Sequence, residues 1–269
     1  MRTTVTSTHI DDYRQNGFVL VENLLDAGEI AELSAAVASG VEAMGNRKIV
    51  GGHDWKEGDS FYDNVFVQRI NLWKNDAVVK RYMLGAEIGG IASSLAGVDL
   101  RVWHDQTLQK KPWANPTAWH LDTPYWSFDS RDAISIWIAL DDVTLQNGCM
   151  YYLPGSHRLV GFDNVDIGPN MGDLFRLYPQ LKDIEPIAIP MRAGSCAFHN
   201  GLTAHAAGPN MTPRWRRAMT CAYMPDGSTF NGKGNILTAE QIARLTIGDV
   251  LVDEAQNPLV GVAAGVGSH

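Results

Sequence analysis

The chain has 269 residues, 45% of them hydrophobic and 19% charged, with a formal net charge of −8 at pH 7. That is ordinary globular composition, and its acidic balance argues against a dedicated nucleic-acid surface. No apolar run approaches the ~18 residues of a membrane-spanning helix. Met1–Thr8 lacks the apolar core of a signal peptide, so the expected setting is cytoplasmic, without nucleic-acid or membrane partners. Cys149, Cys196 and Cys221 are few, odd in number and far apart, as in a reducing compartment. Each lies in an apolar stretch and reads as a buried, inert thiol.

Taken in order, Ile10–Gln15 predicts a short helix closed by Asn16-Gly17, and Phe18–Val21 a strand. Asp26 can cap a helix to about Met44, with Ile30, Leu33 and Val37 on one face. Residues 45–65 are polar and glycine-rich and predict a surface loop, with a lid over a site as the alternative. Asn75 or Asp76 opens a further helix whose apolar residues run through Leu84 to Leu95. Leu100–Leu108 predicts a strand ended by Lys110-Lys111-Pro112. Asn115-Pro116 then turns the chain into Trp119–Trp126. Ile134–Leu140 is strongly strand-like. Asn147-Gly148 is a hairpin-turn signal, after which Cys149–Leu153 returns as a strand.

Residues 159–185 scatter Gly, Pro and Asn and predict an irregular excursion. Strand signals resume at Ile187–Ile189, Ser195–His199, Thr203–Ala207 and Arg217–Tyr223. Thr238 or Ala239 opens a last short helix, and Gly261–His269 predicts a frayed tail. Helices first and many short strands after predict an α+β, mainly β fold with a sandwich or barrel core. We expect a single domain over 1–269. It divides into helical flank and lid segments to about 95, a core at about 100–225, and a C-terminal extension at 226–269.

His120 and Asp122 stand two apart. On a strand, such residues share a face, so an imidazole and a carboxylate would enter one cavity together. They are two-thirds of the 2-His-1-carboxylate triad that leaves positions open on non-heme Fe(II). His9-Ile10-Asp11 repeats the spacing at a predicted helix start, so context must decide. The second histidine has three candidates downstream: His157, His199 and His205. His157 follows a Pro-Gly-Ser turn, which suits a loop or capping role. His205 lies inside the apolar run Leu202–Ala207, either as a ligand or as a buried histidine satisfied by a backbone carbonyl.

The ordered set Trp119-His120-x-Asp122, Asn147-Gly148-Cys149-Met150, Leu153-Pro154-Gly155-Ser156-His157 and His205-x4-Asn210-x5-Arg216 resembles the phytanoyl-CoA dioxygenase family. So does the opening Tyr13-x-x-Asn16-Gly17-Phe18-Val19-x-Val21-x-Asn23-Leu24-Leu25. The resemblance spans roughly residues 10–225. It implies a double-stranded β-helix (jelly-roll, cupin-like) core with flanking N-terminal helices. The activity it implies is that of an Fe(II)/2-oxoglutarate-dependent hydroxylase that consumes O2 and releases succinate and CO2. Position by position, the implied iron ligands are His120, Asp122 and His205.

The implied 2-oxoglutarate arginine is Arg216, with Arg214 and Arg217 as competitors. The strand before the pair is implied to line the cosubstrate pocket. Thr107 and Gln109, polar and on one face, are then cosubstrate contacts. Trp137 is either a further contact or a core aromatic, and Tyr125 and Trp126 either wall the substrate pocket or pack the core. Lys110-Lys111 is too small a basic cluster for a CoA phosphate. The partner expected is a small-molecule substrate. Two other functions stay open: a non-catalytic small-molecule-binding protein on the same barrel, and a metal-dependent cupin-type enzyme without 2-oxoglutarate.

Overall fold

The computed structural model describes residues 1, 4–45, 47–50, 53–56 and 65–263. Helix α1 (Ser7–Asn16) begins three residues earlier than predicted, because Thr6 and His9 form a reciprocal capping box. Gly17 ends it in the left-handed region, at φ 81°. Strand β1 (Phe18–Val21) follows, then α2 (Ala27–Met44), capped by Asp26 with Glu29. The predicted loop at 45–65 contains a two-stranded hairpin, β2 (Arg47–Val50) and β3 (His53–Lys56). Residues 46, 51–52 and 57–64 of the suggested lid lie outside the described residues, as do 264–269 of the predicted tail. Strand β4 (Val67–Ile70) leads to the 3-10 turn Leu72–Lys74.

The single helix expected after Asp76 is two, α3 (Ala77–Met83) and α4 (Ala86–Ala96). The break falls at Gly85, where a Cβ would come within 2.3 Å of the Arg81 carbonyl oxygen. The remaining strands are β5 (Leu100–Lys110), β6 (Thr117–His120), β7 (Ile134–Ala139), β8 (Met150–Tyr152), β9 (Ile187–Ile189), β10 (Cys196–Asn200), β11 (His205–Ala207), β12 (Arg216–Pro225) and β13 (Leu259–Gly261). Helices α5 (Leu174–Leu177) and α6 (Ala239–Arg244) are short.

Apart from the β2–β3 hairpin, the described strands form two antiparallel sheets. One runs β1-β10-β7-β12-β5-β13, with β4 also on β5; the other runs β6-β11-β8-β9. In the larger sheet, alternation sends Ile134, Ile136, Ile138, Met219 and Cys221 outward, where they pack with α1–α4. It sends Trp137, Ala139, Ala197 and Ala218 inward, against Met150, Tyr152 and Ala207 of the smaller sheet. This facing pair of sheets is the expected jelly-roll layout. The Asn147-Gly148 turn does not close a hairpin, however. Strand β7 pairs with β10 and β12 while β8 pairs with β9 and β11, so the chain crosses there from one sheet to the other.

The 159–185 excursion has its own anchor. Val160, Leu174, Tyr178 and Leu181 are buried with Leu121, Leu153 and Leu202. Strand β13, which the sequence did not suggest, pairs with the start of β5 and crosses α4 closely. A Cβ on Gly89 would sit 2.3 Å from the Val260 carbonyl oxygen.

Candidate metal centre

His120 and His205 are cross-strand partners on β6 and β11, and Tyr152 of β8 stands opposite His205 on its other side. Opposed residues share a face of the sheet, and the two imidazoles lie 4.1 Å apart between ring centroids. Each ring is fixed by a backbone carbonyl: His120 Nδ1 donates to the Ala118 oxygen at 2.8 Å and His205 Nδ1 to the Thr203 oxygen at 2.9 Å. A proton on Nδ1 leaves Nε2 with a free lone pair, the state in which imidazole binds a metal. Burial lowers the pKa of both rings, and for His205 the neighbouring His120 lowers it further. Both histidines are therefore held neutral.

Asp122 reaches this pair by a route the sequence did not suggest. Strand β6 ends at His120, and Asp122 has helical backbone angles (φ −87°, ψ −54°) at the start of a 3-10 turn over Thr123–Tyr125. The backbone N–H groups of Asp122 and Thr123 both donate to the Gly201 carbonyl, each at 2.9 Å. That fork, rather than strand alternation, aims the carboxylate. Its Oδ1 lies 3.8 Å from His120 Nε2 and 3.6 Å from His205 Nε2. Its Oδ2 accepts hydrogen bonds from Ser135 Oγ and His199 Nε2, both at 3.1 Å. Burial alone would raise the Asp122 pKa, but His205, the hydrogen-bonding His199 and His120 outweigh it and hold the acid well below the usual carboxylate range.

His199, a candidate ligand in the sequence, thus supports the carboxylate, and Tyr152 Oη lies 3.2 Å from its other ring nitrogen. Ser135 was not anticipated; only the register of β7 brings it there. His157, the remaining candidate, lies beside Gly17, away from this cluster. The donor atoms of His120, Asp122 and His205 all fall within 4.8 Å of one another. Two neutral imidazole nitrogens and one anionic oxygen, with every other polar atom of these side chains already hydrogen-bonded, fit a non-heme Fe(II) ion.

The cluster opens into a cavity of about 380 Å3 between the sheets. Trp137, Tyr125 and Trp126 all line it. Tyr125 Oη donates to the Val165 carbonyl at 2.5 Å, while Trp126 is buried edge-on to His104. Arg216 is fully buried on the inward face of β12. Its guanidinium lies 5.0 Å from the Trp137 ring and 5.7 Å from Phe66, two side chains of the cavity wall, and donates to the Leu108 carbonyl at 3.3 Å. The competitors point elsewhere: Arg217 turns outward to pair with Asp141 at 2.6 Å, and Arg214 is exposed. One buried inward guanidinium suits the distal carboxylate of a dicarboxylic cosubstrate.

Thr107 and Gln109 require a correction. Strand β5 turns His104, Gln106 and Leu108 to the cavity, whereas Thr107 is opposite the outward-facing Met219 and Gln109 opposite Arg217. A bulge is the cause. Ala222 pairs with His104 but Tyr223 with Val102, leaving Trp103 as an extra residue. Leu100 and Val102 face the helices, and unbroken alternation from them would have turned residues 107 and 109 inward. Gln106, and Gln68 that donates to it at 2.5 Å, are the amides that the cavity receives instead.

Comparison with known proteins agrees with this geometry. The family model described as phytanoyl-CoA dioxygenase (PhyH) matches residues 13–218. The methylphosphonate hydroxylase of Gimesia maris is 26% identical over 230 residues, covering 83% of this chain and 82% of that protein. The non-heme alpha ketoglutarate dependent carbocyclase SnoK from nogalamycin biosynthesis superposes with a TM-score of 0.79 at 30% identity, over 96% of this chain and 97% of that one. The epimerase SnoN, solved in complex with Fe3+, alpha ketoglutarate and nogalamycin RO, gives 0.72 at 26% identity, over 94% and 97%.

Proposed function

The chain belongs to the phytanoyl-CoA dioxygenase family, and from that membership we propose that His120, Asp122 and His205 hold the iron and that Arg216 holds the distal carboxylate of 2-oxoglutarate. The enzyme is a 2-oxoglutarate-dependent non-heme iron dioxygenase acting on a small molecule. Iron, 2-oxoglutarate and O2 together supply the oxidising chemistry, with succinate and CO2 as the spent cosubstrate. The protein supplies ligands, orientation and a cavity walled in part by aromatic and aliphatic side chains.

The observation that carries the site assignment is the division of labour at Asp122. One carboxylate oxygen faces two imidazole nitrogens while the other is fixed by Ser135 and His199. Trp137 gives the wall beside Arg216 and keeps its guanidinium out of water. Tyr125 and Trp126 stand at the substrate side of the same cavity.

The reaction we favour is hydroxylation of an aliphatic carbon in a substrate that carries no anionic group. Among the described residues, the cavity wall carries amides, Gln68, Gln106 and Asn235, and the carboxylate of Asp166, between Ile70, Ile167 and Ile236, and neither lysine nor arginine; Arg216, against Phe66 and Trp137, is not itself part of that wall. Such a wall can hydrogen-bond hydroxyl or carbonyl groups but offers no counter-ion to a phosphonate or a CoA phosphate. The nogalamycin-biosynthesis relatives are accordingly the better guide to substrate. A screen for substrate-dependent succinate release tests this directly. Neutral polycyclic alcohols and ketones should stimulate turnover. Stimulation by methylphosphonate or acyl-CoA esters alone would reject the substrate class.

A further inference from the structure

Two side chains of the cavity wall have their polar ends assigned by the chemistry of their partners. Trp103, the extra residue of the β5 bulge, is fully buried, and its Nε1 lies 3.0 Å from the side-chain oxygen of Asn235. An indole N–H can only donate, so the atom facing it is Oδ1 and the NH2 group of the amide points the other way. Asn235 lines the cavity, and among the described residues its Nδ2 has no partner in the protein. Its backbone is left-handed, at φ 42°, a region that asparagine tolerates better than most residues. The turn around it is fixed from both sides. The Gly234 carbonyl accepts from Ser127 Oγ at 3.0 Å and from the Leu237 N–H at 2.9 Å, and Ile236 and Leu237 are buried with Trp126 and Phe128. A strained residue held this firmly at a cavity wall points to a use for its side chain.

The same bulge turns His104 into the cavity. Its ring is buried beside Trp126, and its Nδ1 lies 3.3 Å from the Asp105 carbonyl oxygen. A carbonyl oxygen can only accept, so Nδ1 carries the proton and Nε2 keeps its lone pair. Burial pushes the His104 pKa down to about 4, against smaller opposing effects of that carbonyl and of Asp122, and the ring is neutral at neutral pH. The cavity therefore receives an acceptor from β5 and a donor from the segment between β12 and α6. That donor lies beyond residue 218, outside the stretch that the family model matches and that carries His120, Asp122, His205 and Arg216.

We propose that His104 and Asn235 are specificity-determining residues that together hold a hydroxyl group of the substrate, which donates to His104 Nε2 and accepts from Asn235 Nδ2. The inference rests on the reading of the substrate as one without an anionic group, and narrows it to an alcohol. A hydroxyl satisfies both side chains at once. A ketone can accept from Asn235 but leaves the buried His104 without a donor, and a site built around a hydroxyl discriminates against the analogue that leaves its own polar group unpaired. Strand β5 belongs to the larger sheet, whereas His120 and His205 stand on the smaller one. A substrate gripped by its hydroxyl is thus directed across the cavity toward the metal ligands, and the carbon that reacts is a different one from the carbon that bears the anchor.

Anaerobic calorimetry on the enzyme loaded with Fe(II) and 2-oxoglutarate tests this with two matched pairs of neutral probes, 9-fluorenol with 9-fluorenone and α-tetralol with α-tetralone. The wild type should bind each alcohol about tenfold more tightly than its ketone. His104→Phe keeps an aromatic ring beside Trp126 and removes the acceptor. It should weaken the alcohols by about that factor and leave the ketones unchanged. Asn235→Asp keeps an oxygen for Trp103 and suits the left-handed backbone, but puts an acceptor where the NH2 donor was. It should weaken alcohols and ketones alike, by about tenfold. Equal affinity of the wild type for alcohol and ketone, equal losses for both in His104→Phe, or unchanged binding of both in Asn235→Asp would overturn the proposal. Should His104→Phe not fold, the wild-type preference and Asn235→Asp decide the matter. Failure of the reading beneath it looks different: a wild type that binds none of the four probes removes the substrate class, and the hydroxyl anchor with it.

Discussion

The two oxygens of Asp122 face different partners, and that division sets what individual substitutions should do. Removing a hydrogen bond behind a metal ligand typically costs ~10–100-fold in metal affinity. His199→Ala and Ser135→Ala should each weaken Fe(II) by that order, measured by anaerobic iron titration, without deleting a ligand. Iron affinity equal to wild type in both would show that Oδ2 needs no fixing. Arg216→Ala should weaken 2-oxoglutarate by roughly 30-fold or more, since loss of a buried charge partner costs ~2–5 kcal/mol. Arg216→Lys should recover part of it, because a point charge replaces a planar fork, and the exposed Arg214→Ala should change little. Equal effects at 214 and 216 would place the carboxylate elsewhere.

The candidate ligands and Arg216 were legible because family spacing marks them and because a histidine or an arginine in an apolar strand demands an explanation. The geometry of His205 accommodates both readings considered for it: its Nδ1 is satisfied by a backbone carbonyl, and that bond frees Nε2 toward Asp122. Ser135 and the role of His199 were not legible, since pairing register across β7 and β10 puts them beside residue 122.

At the scale of elements, the turn after β6 is what brings Asp122 into place, and Gly201 makes the turn possible. A Cβ on Gly201 would approach Thr123 Oγ1 to 2.1 Å and the Trp126 ring to 3.0 Å. Gly201→Ala should therefore cost ~1–3 kcal/mol in denaturant unfolding by overpacking. It should weaken iron binding as well, because the fork of N–H groups on the Gly201 carbonyl shifts with the turn. A destabilised variant with intact iron affinity would show that the carboxylate is aimed by Ser135 and His199 alone. Element identity was largely legible from periodicity and caps, as α2 and its Asp26 illustrate. Element partners were not. Asn147-Gly148 signalled a turn correctly, yet nothing local distinguishes a hairpin from a crossing between sheets. A bulge such as that at Trp103 likewise inverts a strand's faces without any change in composition.

Across the whole molecule, the two sheets are joined at the site by polar side chains: Asp122, after β6, meets Ser135 of β7 and His199 of β10, and Tyr152 of β8 meets His199. A ligand that bridges them should stabilise the fold by mass action, about 2.7 kcal/mol at one hundred times its Kd. A chain of this size shifts by roughly 2–4 °C per kcal/mol, so saturating Fe(II) under anaerobic conditions should raise Tm by about 5–10 °C. A chelator should reverse the shift, and His205→Ala should abolish it. An unchanged Tm in the wild type would mean that iron binds weakly or to the unfolded chain as well. Among the described residues no helix is long and apolar enough to cross a membrane.

The three cysteines give the molecule a clock. Cys149, Cys196 and Cys221 are buried, and burial raises the pKa of each. Attack on an alkylating reagent needs the thiolate, so none should react while the fold is closed. Cys196 and Cys221 lie between the large sheet and the helices, whereas Cys149 lies between the sheets, near Gly148. Their separate labelling rates therefore time two different openings. Peeling of the helical layer exposes the first two, and parting of the sheets exposes the third. On the proposed assignment, iron held by the smaller sheet and 2-oxoglutarate reaching from it to Arg216 of the larger would together span only the second seam, so loading the enzyme should slow modification of Cys149 more than that of its two companions, as peptide-resolved mass spectrometry would register.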